Sequence, residues 1–210
     1  MSRAGYVTIE GVDSVGKTTL TAALCEHYRS AAVSVVAKPE FPADPAIRNR
    51  IEQSLERSIF VGEGFAEGAS AAFFYMLYAE AVALGSLPAI ADLIIGDRGI
   101  DSLCLYQGFA VRGRDRFDSH AIVTAMETLY TNLGLRLPDR TILLTLRAPE
   151  LECRFRARNR RDPTSEEMSK LVWLQEQYLT VAVHRARFTV LEGNSARESI
   201  LKKALQHIER

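Results

Sequence analysis

The residues best equipped for chemistry lie in one run, Glu10-Gly-Val-Asp-Ser-Val-Gly-Lys-Thr-Thr19, in which Gly11 to Thr18 follow the pattern G-x-x-x-x-G-K-[ST]. Successive backbone N–H groups of such a run turn inward to form an anion-binding nest, and the positive end of a following helix adds to it. Gly11 and Gly16 allow the close approach that this turn needs. Ser14, Val15, Gly16, Lys17, Thr18 and Thr19 are therefore expected to surround a triphosphate, with the Lys17 ammonium on the β- and γ-phosphates and the Thr18 hydroxyl on Mg²⁺. A second charged pair, Asp97-Arg98, closes the apolar run Leu93-Ile-Ile-Gly96. Asp97 could hold Mg²⁺ through water, and Arg98 could grip a second phosphate through its fork of N–H groups. An internal Asp–Arg ion pair is the alternative.

Each of these groups needs a strand behind it. Residues 6–9 form a short β-branched apolar run suited to a buried parallel strand, and from Leu20 the apolar residues fall at helical spacing. A second strand is predicted over 33–37, ended by Lys38-Pro-Glu-Phe-Pro42, whose prolines cannot continue a sheet. Loops at the carboxyl ends of strands hold ligands in open α/β sheets, so Lys38 and Glu40 are site candidates by position, with ordinary surface charges as the other reading. Helices are predicted over 47–55, 69–84, 117–131, 164–186 and 197–210, and further strands over 141–146 and 188–191. Thr164 with Glu167 makes a capping box for the fourth of these helices.

Arg147, Arg154, Arg156, Arg158, Arg160 and Arg161 crowd together ahead of Asp162-Pro163. They read as a mobile lid over 152–165 that closes on the triphosphate, as a solvated helix face, or as a nucleic-acid patch. Arg154, Arg158 and Arg160 are the lid candidates. The 26 basic and 26 acidic residues balance, so no overall field draws in nucleic acid or membrane. The three cysteines have neither disulfide-framework nor zinc-site spacing, and no apolar run approaches membrane-spanning length. With 210 residues and no targeting segment, one cytoplasmic α/β domain over 1–210 is expected.

The stretch Asp97-Arg-Gly-Ile-Asp-Ser-Leu-Cys-Leu-Tyr-Gln-Gly108 closely resembles the D-R-Y-x-x-S-x-x-A-Y-Q-G signature of thymidylate kinases. The loop from Glu10 to Thr19, including Asp13, resembles the same family's phosphate loop, and Arg112-Gly113 and Leu137-Pro-Asp-Arg-Thr-Ile-Leu-Leu-Thr-Leu146 are similar to later family segments. The resemblance implies a P-loop NTPase fold, with a parallel sheet of about five strands flanked by helices and a short Arg-rich lid, working as a homodimer. It also implies transfer of the γ-phosphoryl of ATP, with Mg²⁺, to a deoxynucleoside 5′-monophosphate. Carried over residue by residue, Asp13 meets the acceptor's sugar and phosphate end and Arg98 its phosphate, while Phe73 stacks on the base. Tyr106 lies near the sugar 2′ position and Gln107 near the base, with Ser102 close to both. Lys17, Asp13, Arg98 and Arg158 are the catalytic candidates.

Three departures bear on the acceptor. Leu77 stands where the family carries an arginine, Lys38-Pro39-Glu40 replaces an arginine-bearing segment, and Gly99 replaces an aromatic. The expected activity is therefore a kinase of a (deoxy)pyrimidine nucleoside 5′-monophosphate, with acceptors other than thymidylate open. A kinase of a nucleoside or other small hydroxyl compound, with Glu40 as base, and a non-catalytic nucleotide-binding protein are the alternatives.

Overall fold

The computed structural model describes residues 5–38, 44–46, 49–50, 53, 66–86, 91–112 and 114–209; over 66–73, at 75 and 86, and over 110–112 it describes the backbone alone. In chain order the elements are β1 (Gly5–Glu10), α1 (Lys17–Ser30), β2 (Val35–Lys38), α2 (Ala66–Ser86), β3 (Leu93–Asp97) and α3 (Ile100–Arg112). A 3₁₀ turn (Arg114–Arg116) leads to α4 (Ser119–Asn132), β4 (Arg140–Thr145), α5 (Ala148–Asn159), α6 (Ser165–Val183), β5 (Phe188–Glu192) and α7 (Arg197–Ile208). The strands form one sheet in the order β2-β3-β1-β4-β5. Every pairing is parallel.

Parallel strands covered on both faces must be apolar on both, and β1, β3 and β4 are. Ile9, Ile95, Ile142 and Leu143 are fully buried, and removing each side chain from water contributes roughly 1.5–3 kcal/mol. The chain leaves β1 toward β2 and β3 on one side and returns to β4 on the other. The strand order thus reverses at β1, where a crevice opens beyond the carboxyl ends. The register sets Ile9 opposite Asp97, so the loop after β1 and the charged end of β3 face the same crevice.

Helix ends follow local chemistry. Asp118 caps α4 by accepting from the Ala121 N–H at 2.9 Å, so that helix starts at Ser119 rather than 117. The capping box on α6 is present, and that helix stops at Val183, three residues short of the expected end. The arginine-rich stretch is a regular helix, α5, opened by Pro149 in its first turn and closed by Arg160 in a left-handed conformation. The helix expected over 47–55 lies largely outside the described residues. Among the described residues no helix is long and apolar enough to cross a membrane. Cys25, Cys104 and Cys153 are free thiols.

Candidate active site

The loop between β1 and α1 has the backbone its sequence demands. Gly11 has φ +134°, and a Cβ there would lie 2.5 Å from the Leu144 carbonyl oxygen; Gly16, at φ +105°, caps α1. Ser14 adopts φ 69°, and its buried hydroxyl has no hydrogen-bond partner among the described residues. Such strained, unsatisfied groups collect at ligand sites. Lys17 Nζ donates to the Val12 carbonyl at 2.9 Å, which holds the ammonium inside the loop. Val15 turns its side chain into the core, so only its backbone faces a ligand. Arg154 donates to the Val15 carbonyl at 2.8 Å and to the Gly193 carbonyl at 2.5 Å, fastening α5 and the loop after β5 to the nest.

Thr18 Oγ1 donates to Asp97 Oδ2 at 2.7 Å. Two hard oxygens this close suit Mg²⁺, which takes one or two protein oxygens and fills its octahedron with water and phosphate.

Arg98 leaves β3 at φ 70°, with its N–H on the Ile9 carbonyl at 3.1 Å. This left-handed step turns the side chain toward the loop. Its guanidinium bonds Asp13, donates to Ser102 Oγ at 3.2 Å and lies 4.7 Å from the centre of the Tyr106 ring. The ion pair formed is thus Arg98–Asp13, across the crevice, and not Arg98–Asp97. Burial pushes the Asp13 carboxyl up, but the Arg98, Lys17 and Arg158 charges outweigh it and hold the carboxyl below its usual range. Burial, then the Asp13 charge, raises the Tyr106 phenol, which stays neutral.

Beside Arg98 lies a buried polar set whose members other than Ser102 carry no functional signal in the sequence. Ser102 Oγ bonds Glu10 and lies 2.6 Å from Tyr178 Oη. Burial, reinforced by the Asp101 charge, pushes the Glu10 carboxyl up to about 7, against the Ser102 bond and the Arg98 and Lys17 charges. Asp101 is itself held by both Arg187 Nη atoms, at 2.7 and 2.9 Å. Glu10 ends β1 just before the loop motif, and Tyr178 is buried on α6. Neither position signals a polar network that only tertiary contact assembles.

Other candidates are placed differently. Lys38 is not at the crevice surface: its ammonium is buried 2.6 Å from Glu80, whose other oxygen accepts from Tyr6 Oη at 2.9 Å. It locks β2 to α2, because a buried ammonium needs a carboxylate. Glu40 lies outside the described residues, as does the side chain of Phe73, which falls on α2. Gln107 is buried and reaches Met76 Sδ at 3.5 Å. Among the crowded arginines, Arg156 pairs with Asp162 and Glu152, and Arg161 with Glu167. Arg158 and Arg160 have no ion pair among the described residues, and the Arg158 charge reaches Asp13. The ring of Trp173 on α6 packs 4.8 Å from Phe109 and 5.2 Å from Phe117. The Lys170 ammonium lies 5.3 Å from the centre of the Phe109 ring.

Comparison with known proteins points the same way as this geometry. Residues 9–204 match the family model described as thymidylate kinase. The chain is 27% identical to the thymidylate kinase of Acinetobacter baylyi over 97% of its own length and 98% of the relative's. It is 30% identical to the thymidylate kinase of Leifsonia xyli over 93% and 90% of the two chains. It is 31% identical to a "probable thymidylate kinase" of Methanospirillum hungatei over 94% and 90%.

Proposed function

Because the chain belongs to the thymidylate kinase family and is thereby an ATP-dependent phosphotransferase with a nucleotide substrate, we propose that it phosphorylates a pyrimidine deoxynucleoside 5′-monophosphate, with thymidylate one candidate acceptor. The observation that carries this reading is the Arg98–Asp13 pair at the mouth of the phosphate loop. It sets a guanidinium fork beside the amide-lined nest, two anion receptors sharing one crevice. A nucleoside acceptor would need only one.

Phosphoryl transfer asks the protein mainly for alignment and charge neutralisation. Lys17 and the loop N–H groups would hold the β- and γ-phosphates of ATP, and Arg154 keeps that loop in shape from outside. Thr18 and Asp97 would hold Mg²⁺, which when bound would offset the charge of the phosphates. Arg98 would turn its fork from Asp13 to the acceptor phosphate, leaving Asp13 for the sugar. Arg158 would approach the transferring group from α5. Tyr106, neutral and half-buried, would close the sugar side with its ring. A phosphate monoester is already anionic near neutral pH, so its attacking oxygen needs no strong base.

A second copy of the chain as partner is part of this reading. Phe74, Tyr78 and Val82 recur one helical turn apart on α2 and are 66%, 56% and 36% exposed, an apolar stripe suited to a self-complementary helix contact.

The test is a coupled ADP-release assay with the purified protein, ATP and Mg²⁺ across nucleosides and their 5′-monophosphates. Turnover of at least one pyrimidine monophosphate with none of the nucleosides is expected. A nucleoside accepted better than its monophosphate would overturn the proposal.

A further inference from the structure

To meet an acceptor phosphate, Arg98 has to let go of Asp13 and still keep its fork aimed. Aim matters, because a misplacement of about 1 Å can cost about 10²-fold in rate. The guanidinium is held on its other arm by Ser102. Arg98 Nη1 donates to Ser102 Oγ at 3.2 Å, whereas the Asp13 bond belongs to Nη2. One arm can thus swing to a ligand while the other stays anchored.

The anchor is a hydroxyl with no capacity to spare. A serine hydroxyl offers one proton and two lone pairs, and Ser102 has three partners: Glu10, Arg98 and Tyr178, the last at 2.6 Å. An ionised Glu10 only accepts, so the Ser102 proton goes to Glu10 Oε2. Arg98 only donates and takes one lone pair. Tyr178 therefore donates to the other, and burial, then the Glu10 charge, raises its phenol so that it keeps the proton it needs for this. Glu10 is what gives the hydroxyl its direction. Without that acceptor the hydroxyl can rotate and turn its proton on the guanidinium. Glu10 is fully buried, and its Oε1 has no hydrogen-bond partner among the described residues. A buried carboxylate oxygen left unmatched is destabilising, so packing does not account for a glutamate here. The support is firm, because Asp101, next to Ser102 on α3, is held by both Arg187 Nη atoms.

We propose that Glu10 is a positioning residue which, by orienting the Ser102 hydroxyl, holds Arg98 at the angle that the acceptor's phosphate requires. This rests on the monophosphate-kinase reading above. Glu10 closes β1, Ser102 lies in the first turn of α3 and Tyr178 reaches in from α6, so the relay ties the guanidinium to three elements of the core. Fully buried, Glu10 meets no ligand itself; its effect passes through one hydroxyl to one guanidinium.

The test compares wild type, Glu10→Gln, Ser102→Ala and the double variant at pH 8, above the Glu10 carboxyl that burial pushes up to about 7. Glutamine keeps the shape, but its amide can turn either its oxygen or its NH₂ to Ser102, so the direction is no longer imposed. ADP release with the 5′-monophosphates of thymidine, deoxyuridine and deoxycytidine gives the acceptor's kcat/KM, and urea unfolding gives the stability. Each single variant is expected to lose about tenfold or more in the acceptor's kcat/KM, and the double variant to lose no more than the worse single one, within about threefold. The urea midpoint of Glu10→Gln is expected to rise. Activity falling while stability rises is a signature that a merely structural carboxylate would not produce. Losses that multiply in the double variant, activity and midpoint of Glu10→Gln falling together, or a Glu10→Gln within about twofold of wild type in kcat/KM overturns the assignment. Ser102→Ala at wild-type kcat/KM overturns it as well, with no Glu10 variant needed. A wild type that phosphorylates no monophosphate overturns this inference and the functional reading together, whereas a wild type that phosphorylates one alongside equally active variants overturns this inference alone.

Discussion

Arg98→Met is the most informative single change. Methionine keeps an unbranched apolar stem against Tyr106 but removes the fork that meets Asp13 and Ser102. If the fork makes two charge-assisted bonds to the acceptor phosphate in the transition state, each worth roughly 1.5–3 kcal/mol, the loss is about 3–6 kcal/mol, or about 10²- to 10⁴-fold in kcat/KM. The free protein also loses the Arg98–Asp13 pair. Because the Asp13 side chain is 23% exposed, the stranded carboxylate stays partly hydrated, and the stability cost falls below the ~3–5 kcal/mol of breaking a fully buried pair. With Arg98 gone, Asp13 loses the charge that does most to hold its carboxyl down. The stability this pairing contributes is present above the unfolded carboxyl pKa and lost as pH falls through the lowered folded value, so it vanishes in the variant. ADP release, with acceptor and ATP varied in turn, should give the loss in the acceptor's kcat/KM while the KM for ATP stays within about threefold. Arg98→Lys, which keeps the charge without the fork, should fall between. A folded Arg98→Met protein within about threefold of wild type in the acceptor's kcat/KM would refute the reasoning.

Two further outcomes concern stability. The Glu10 carboxyl, lifted by burial to about 7, makes the native state bind more protons than the unfolded chain between the ordinary glutamate range and neutrality, so its contribution falls as pH rises through that window. Urea unfolding of wild type and Glu10→Gln at pH 5 and pH 8 should show the variant gaining on wild type by up to about 3 kcal/mol at the higher pH; a gap that ignores pH would sink the assignment. At the start of α6, Thr164 accepts from the Glu167 N–H at 3.1 Å while Glu167 Oε2 accepts from the Thr164 N–H at 2.8 Å. Thr164→Ala should cost about 1 kcal/mol in urea unfolding at pH 7, and an unchanged midpoint would show that this cap contributes nothing.

Local rules made the scaffold readable. Short β-branched runs became the parallel strands, helical spacing matched α1, α2, α4, α6 and α7 within a few residues while α3 was not among the predicted helices, and the glycine-bounded loop took the left-handed glycines its pattern implied. Thr18, in the first turn of α1, and Asp97, at the end of β3, are brought together by the neighbouring strands β1 and β3. The departure at Gly99 also has a cause in the fold: a Cβ there would lie 2.7 Å from Thr8 Cγ2 on the buried strand beside it. Lys38, a candidate by position, is instead buried against Glu80, because place at a strand's end says nothing about which carboxylate a neighbouring helix brings.

The sequence by itself determined the glycine-bounded loop, since a phosphate nest is made of consecutive backbone amides and its geometry is written in contiguous residues. It also singled out Asp13, Arg98 and Tyr106, but that the first two pair and the third lies under the guanidinium was decided by tertiary structure. They come from two separate parts of the chain, and charges so far apart in sequence act on each other only when burial and close approach bring them together.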